Sequence, residues 1–218
     1  MPPRLIAASG FGHPALVLGF ALSLAAALPK AVAAEPMGHG MSGHQHHHMP
    51  AESTANIRRS TADYRVPGLD LVRQDGTKVK LRQEIDDGRP VILNFIYTSC
   101  TAICPTTSQV FSQVEERLGR ENKAVHLVSI SIDPEYDTPA RLAAYARKFG
   151  AGTHWQFYTG SSTASIAVQK AFEAYPGDKM NHLPSTFLRA APGKPWVRLD
   201  GFATPESIVR EYAQLGSN

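Results

Sequence analysis

Cysteine is scarce in this chain, with two thiols among 218 residues. That count excludes a disulfide-stapled scaffold and a four-cysteine zinc or iron–sulfur centre. Long hydrophobic runs are also missing, apart from Ala15 to Leu28, which only Ser23 interrupts. Nothing later is apolar enough to cross a bilayer, which takes roughly 20 residues. An excess of one charge is lacking too: 22 lysines and arginines face 19 acids, and Arg4 and Lys30 lie in an acid-free stretch before Glu35. The remainder is close to neutral, which gives no support for nucleic-acid binding. There is no internal repeat, and 43% hydrophobic side chains suffice for one good core.

The first element present is a leader. Arg4, the apolar run, and Ala31-Val-Ala-Ala34 ahead of Glu35-Pro36 form the pattern of a secretory signal peptide over residues 1–34. The run is shorter than a bilayer span, so cleavage near Ala34 is expected and function outside a cytoplasm follows. A retained leader, which would keep the protein membrane-associated, is the rival. No cysteine near the cleavage site offers a lipid anchor.

Residues 35–60 read as a disordered linker rich in methionine and histidine. It carries Met37, Met41 and Met49 with His39, His44, His46, His47 and His48 among glycines. Such a segment has no period and cannot bury a core. Thioether suits Cu(I) and imidazole suits Cu(II), so capture of copper is one reading and an inert spacer the other. Gln45 and the methionines interrupt the histidines, unlike a purification tag.

Residues 61–218 read as one domain. Asp75-Gly76 between Leu69–Arg73 and Lys78–Leu81 signals a hairpin. Val91–Tyr97 is a near-continuous apolar run, as in a strand covered on both faces. Val110, Phe111, Val114 and Leu118 line a helix that Gly119 stops. Val125–Ile132 is a second buried strand. Thr138-Pro139 opens a helix with Leu142, Ala146 and Phe149 inside, and Gly150 stops it. Then come a strand at Trp155–Tyr158, a helix at Ser162–Ala174, a hairpin of Ser185–Ala190 with Trp196–Leu199, and a helix opened by Thr204-Pro205. This order predicts an α/β fold, a thioredoxin-like mixed sheet flanked by helices with an extra N-terminal β-hairpin.

Both cysteines fall in the turn between the apolar strand and its helix, as Cys100-Thr-Ala-Ile-Cys104. Thiols at a helix N-terminus are stabilised as thiolates, which exchange with disulfides or hold a soft metal. A two-sulfur copper site needs another donor, preferably imidazole. The domain offers His126, His154 and His182. His126 reads as a strand position and His154 as a loop residue. His182 ends a polar loop, Asp178-Lys-Met-Asn-His182, leading into a strand expected beside the thiol-bearing one. It is a candidate ligand; an ordinary loop histidine is the alternative.

Thr98-Ser-Cys-Thr-Ala-Ile-Cys-Pro105, Ser129-Ile-Ser-Ile-Asp-Pro-Glu-Tyr-Asp-Thr-Pro139, the helix bearing Tyr145 and Phe149, and the late histidine together resemble the Sco/SenC family over nearly all of Val66–Leu215. The resemblance implies a periplasmic, thioredoxin-like protein binding Cu(I) or Cu(II) through Cys100, Cys104 and His182. It implies as partner cytochrome c oxidase subunit II, whose binuclear copper centre such proteins metallate or whose thiols they reduce, or another periplasmic copper protein. A periplasmic thiol reductant would keep the cysteines reduced. Thr101 stands where familiar members have proline, no aspartate lies between the cysteines, and Asn181 replaces the usual aspartate before the histidine. Asp133 and Asp137 match the family's acidic element; as residues alone they read as strand-end and turn positions. Met180 is a thioether near His182, and Leu183–Pro184 resembles the proline facing thioredoxin thiols.

A copper carrier of this kind is no enzyme. The alternative is a thiol-disulfide oxidoreductase in which Cys100 attacks and Cys104 resolves. A peroxiredoxin-type peroxidase lacks the arginine it needs, since none lies between Arg89 and Arg117. Structural zinc would require a fourth ligand from Asp133 or Met180.

Overall fold

The structure, a computed structural model, describes residues 57–119 and 124–215. The leader and the methionine- and histidine-bearing residues 37–49 lie outside the described residues.

Eight strands form one sheet among the described residues: β1 (Arg58–Ala62), β2 (Asp70–Arg73), β3 (Lys78–Lys80), β4 (Val91–Ile96), β5 (His126–Ser131), β6 (Trp155–Thr159), β7 (Ser185–Arg189) and β8 (Trp196–Asp200). Their order across the sheet is β1-β8-β7-β4-β5-β6-β2-β3. β4, β5 and β6 run parallel, and every other pair is antiparallel. The helices are α1 (Leu81–Ile85), α2 (Ile103–Leu118), α3 (Pro139–Lys148), α4 (Ser162–Ala171) and α5 (Pro205–Leu215). A single turn of tight helix spans Lys179–Asn181. This is the mixed α/β fold expected, with the hairpin β2–β3 added before the central strand.

Strand alternation divides the core between the two faces. Phe111 of α2 and Tyr145 of α3 pack on Trp155 and Phe157, with ring centroids 5.8 and 6.1 Å apart. Phe95 points to the other face and meets Phe172 and Phe187, each at 5.9 Å. Such pairs add about 0.5–1.5 kcal/mol each beyond their buried area. β4 and β5 are buried at every position. The polar residues inside them are mostly paired: Ser129 donates to Asn94 Oδ1 at 2.7 Å and accepts from Trp155 Nε1 at 2.9 Å.

Three elements differ from expectation. β1 starts at Arg58, inside the stretch assigned to the linker, and pairs residue for residue with β8. Its side chains are mostly exposed, so it carries no alternating apolar pattern; backbone pairing defines it. α1 follows β3 directly, where Leu81 and Ile85, one turn apart, are fully buried. α4 also stops at Ala171, short of Ala174, with Glu173 at a positive φ of 52°.

Candidate metal and redox site

The C-terminal end of β4 is where the thiols collect. After Ile96 the chain turns and enters α2, whose first turn holds Cys104. The N-cap, Ala102, offers no side-chain cap, so nearby sulfur meets helix amides instead. The Cys104 amide donates to Cys100 Sγ at 3.4 Å, and the Tyr97 amide donates to Cys104 Sγ at 3.4 Å. Pro105, the third residue of α2, takes a position whose N–H has no partner within the helix.

The two thiols are unbonded and unequal. Cys104 is fully buried, and burial pushes its thiol up to about 12 against the help of the Tyr97 amide. Cys100 is half-buried. Burial also opposes its ionisation, but amides of Cys104 and Ala102, with the Tyr97 hydroxyl, hold it below its ordinary value. One thiol is an accessible nucleophile and donor; the other is kept in reserve.

β7 runs antiparallel to β4 with Asn94 opposite Thr186, so the loop before β7 returns to the thiol end. It brings His182 there. His182 is 5% exposed, and its Nε2 lies 3.1 Å from the Phe95 carbonyl. A carbonyl oxygen only accepts, so Nε2 carries the proton and Nδ1 keeps its lone pair. Among the described residues, none hydrogen-bonds Nδ1. A backbone carbonyl holding one ring nitrogen while the other stays open is the arrangement found around metal-bound histidines. Burial lowers the His182 basicity, favouring the neutral ring.

The other histidines of the domain lie elsewhere. His126 begins β5 opposite Val91, at the far end of β4. His154 precedes β6 at that same end, its Nδ1 3.5 Å from an Arg89 nitrogen.

The acids behave differently from their sequence reading. Asp137, expected to be a turn residue, is fully buried and accepts from Ser131 Oγ at 2.6 Å, Thr98 Oγ1 at 2.5 Å and the Thr98 amide at 3.2 Å. It ties the segment between β4 and Cys100 to the end of β5. Burial nevertheless raises its pKa above the usual carboxylate range, making it a weaker acid. No sequence pattern marked this role, since Asp before Thr-Pro reads equally well as a cap. Asp133, two residues beyond β5, pairs with Lys179 Nζ at 2.6 Å, anchoring the His182 loop. Met180 is not a core residue: it is 70% exposed, and its sulfur accepts from the Tyr97 hydroxyl at 3.8 Å. Leu183–Pro184 is trans, as are all described peptide bonds.

The donor set, two sulfurs and an imidazole with an open nitrogen, fits a soft or borderline ion such as copper. Among the described residues, no three histidine, cysteine, aspartate or glutamate side chains are grouped closely enough to hold a metal as they stand. The same end therefore carries the donors without having assembled them. Among the described residues, no helix is long and apolar enough to cross a membrane.

Comparison with known proteins places the fold and the family. The SCO1 protein homolog of Bacillus subtilis is 31% identical over 140 residues, 61% of this chain and 72% of that protein. A protein of Stutzerimonas stutzeri named "Putative copper-binding protein" is 34% identical over 99 residues, 45% of this chain and 48% of that one. Among solved structures, BsSco, described as a Sco-family cytochrome c oxidase assembly protein with a disulfide switch, superposes with a TM-score of 0.60 at 27% identity, over 72% of this chain and 96% of that one. Copper-bound ScoI of Arabidopsis thaliana shares the fold at TM-score 0.57 and 24% identity, over 69% and 96% of the two chains. The SCO1/SenC family model matches residues 59–216, which takes in all of the sheet but Arg58, the thiol turn and the His182 loop, and the chain belongs to that family.

Proposed function

We propose that this domain is a periplasmic copper carrier for cytochrome c oxidase assembly, binding Cu(I) through Cys100, Cys104 and His182. The observation that carries the reading is the open Nδ1 of His182 at the same end of the sheet as both sulfurs. Family membership supports it, as do the copper-binding name of one relative and the oxidase-assembly description of another.

The residues divide the work. Cys100 offers the first thiolate, because helix amides already stabilise its charge. Cys104 ionises only with the ion beside it, and its proton leaves to solvent. The Phe95 carbonyl holds the His182 ring by Nε2–H so that Nδ1 can turn to the sulfurs as the loop shifts. Two sulfurs and one nitrogen leave the ion open to an incoming partner ligand, so transfer proceeds by ligand exchange. Residues 37–49 would add weaker soft donors for capture. The recipient in this reading is the binuclear copper centre of oxidase subunit II.

Anaerobic Cu(I) titration of the reduced protein tests it. One tightly held equivalent, weakened by His182→Ala and lost when the cysteines are oxidised to a disulfide, is the expected result. Unchanged affinity in His182→Ala overturns the three-donor site.

The inequality of the thiols favours one second reading, a thiol-disulfide oxidoreductase with Cys100 attacking and buried Cys104 resolving. Fast reduction of a disulfide substrate that survives His182→Ala and fails in Cys100→Ser would select it.

A further inference from the structure

Methionine normally supplies packing area, yet Met180 stands 70% exposed at the rim of the thiol site. Its position is fixed from several sides. Its amide donates to Asp178 Oδ1 at 2.9 Å, and the neighbouring Lys179 is tied to Asp133 at 2.6 Å. Its sulfur accepts from the Tyr97 hydroxyl at 3.8 Å, and Tyr97 belongs to the thiol turn, its carbonyl accepting from the Cys100 amide at 3.2 Å. Tyr97 thus holds the Met180 thioether against the turn that carries Cys100. The other two donors are withdrawn: Cys104 is fully buried, and His182 is 5% exposed. An ion arriving from solution meets Met180 and Cys100 first.

We propose that Met180 Sδ and Cys100 Sγ form a solvent-facing entry position for Cu(I), from which the ion passes inward to Cys104 and His182. The inference rests on the copper-carrier reading and adds a ligand and an order of events to it. Cu(I) arrives as a complex of a weak soft ligand. One bond to that ligand breaks as the bond to Met180 Sδ forms. The second breaks as Cys100 Sγ binds and releases its proton to solvent. The bond to Met180 then breaks as Cys104 Sγ binds and loses its own proton. Copper remains Cu(I) throughout, so no oxidant or reductant enters. A thioether suits the transient role because it binds Cu(I) without a charge and lets go more easily than a thiolate.

The test uses the reduced full chain with 13C-labelled methionine methyl groups, the Met180 signal being identified by its loss in Met180→Leu. In Cys104→Ser, where the inward step is blocked, sub-stoichiometric Cu(I) should shift the Met180 methyl, and adding Cys100→Ser should reduce that shift. In stopped flow, with Cu(I) supplied as its bicinchoninate complex, Met180→Leu should slow uptake about tenfold, the low end of what a lost supporting group costs a metal site. Uptake should suffer more than equilibrium affinity. A Met180 methyl that Cu(I) leaves unmoved in Cys104→Ser overturns the inference, as does wild-type loading speed in Met180→Leu. In either case normal affinity at the thiols leaves the carrier reading standing. Failure of the wild-type thiols to bind Cu(I) overturns that reading itself.

Discussion

The two ends of the central strands each bury a histidine, and the two rings differ in their surroundings rather than in their pairing. At the thiol end, His182 gives Nε2–H to a backbone carbonyl and keeps Nδ1 without a hydrogen-bond partner among the described residues. At the far end, His126 is 2% exposed, its Nε2 lies 3.4 Å from the Tyr158 hydroxyl, and its Nδ1 is buried without a partner. Burial alone therefore does not make a ligand. Nδ1 stays open in both, so what distinguishes the two is whether other soft donors share the neighbourhood. Only the thiol end has them.

The hardest blow to this contrast falls on the sulfurs. Cys104→Ser should lower Cu(I) affinity by more than about 100-fold, beyond the range typical for losing a merely supporting group. His126→Gln should change it by less than about twofold, because the ring lies a whole strand away from the thiols. Competition against a chromophoric Cu(I) chelator measures both. Equal losses in the two variants would mean that the ends are not functionally distinct.

Stability separates the ends next. Asp137 satisfies three donors inside the protein, and Asp137→Ala strands them, at a cost of about 3 kcal/mol. At the exposed far hairpin Asp75 holds Arg73 at 2.7 Å and accepts from the Thr77 amide at 2.9 Å. Asp75→Ala should cost less than about 1 kcal/mol, since exposed pairs contribute little. Urea unfolding midpoints decide between them. Comparable costs would show that the thiol turn is not specially braced by the buried carboxylate.

The pH dependence sharpens the comparison of the histidines. Burial lowers His126 to about 4, against 6.5 for the free group. The folded state then binds fewer protons than the unfolded chain, so stability is complete above pH 6.5 and drains as pH falls toward 4. The difference corresponds to about 3 kcal/mol. His182 is shifted in the same direction, also by burial. Removing the far-end ring in His126→Gln should flatten the acid limb of a thermal-unfolding profile and leave the smaller His182 part. A profile unchanged by His126→Gln would mean that the far-end imidazole is not buried neutral.

Much of this was legible in the chain, for identifiable reasons. Val91–Ile96 and the Asp75-Gly76 turn announce themselves through apolar runs and turn chemistry, and each appears where expected. The thiols and His182 could be singled out because so few soft donors exist. β1 escaped because an edge strand with exposed side chains shows its identity only in backbone pairing. α1 escaped because five residues give too short a window for a helical period. Asp137 was visible only as a turn residue: nothing local shows that its carboxylate also braces Thr98, 39 residues away. The tautomer of His182 could not be read at all, since it depends on a carbonyl 87 residues away.

The smallest expected effect concerns the loop that carries His182. Lys179 and Asp133 form its ionic anchor, with side chains 41% and 12% exposed, so solvent screens the pair. Such a pair contributes less than about 1 kcal/mol, which is roughly fivefold in an equilibrium. Asp133→Asn keeps the shape and removes the charge, and should weaken Cu(I) binding by no more than that, acting on loop position without touching the ion. High salt supplies the diagnostic, because screening shortens the Debye length to about 3 Å at 1 M. Wild-type affinity should then fall toward that of Asp133→Asn, which itself should barely respond. A variant losing far more than fivefold, with its deficit insensitive to salt, would instead place the Asp133 carboxylate on the ion and redraw the site as one with a fourth donor.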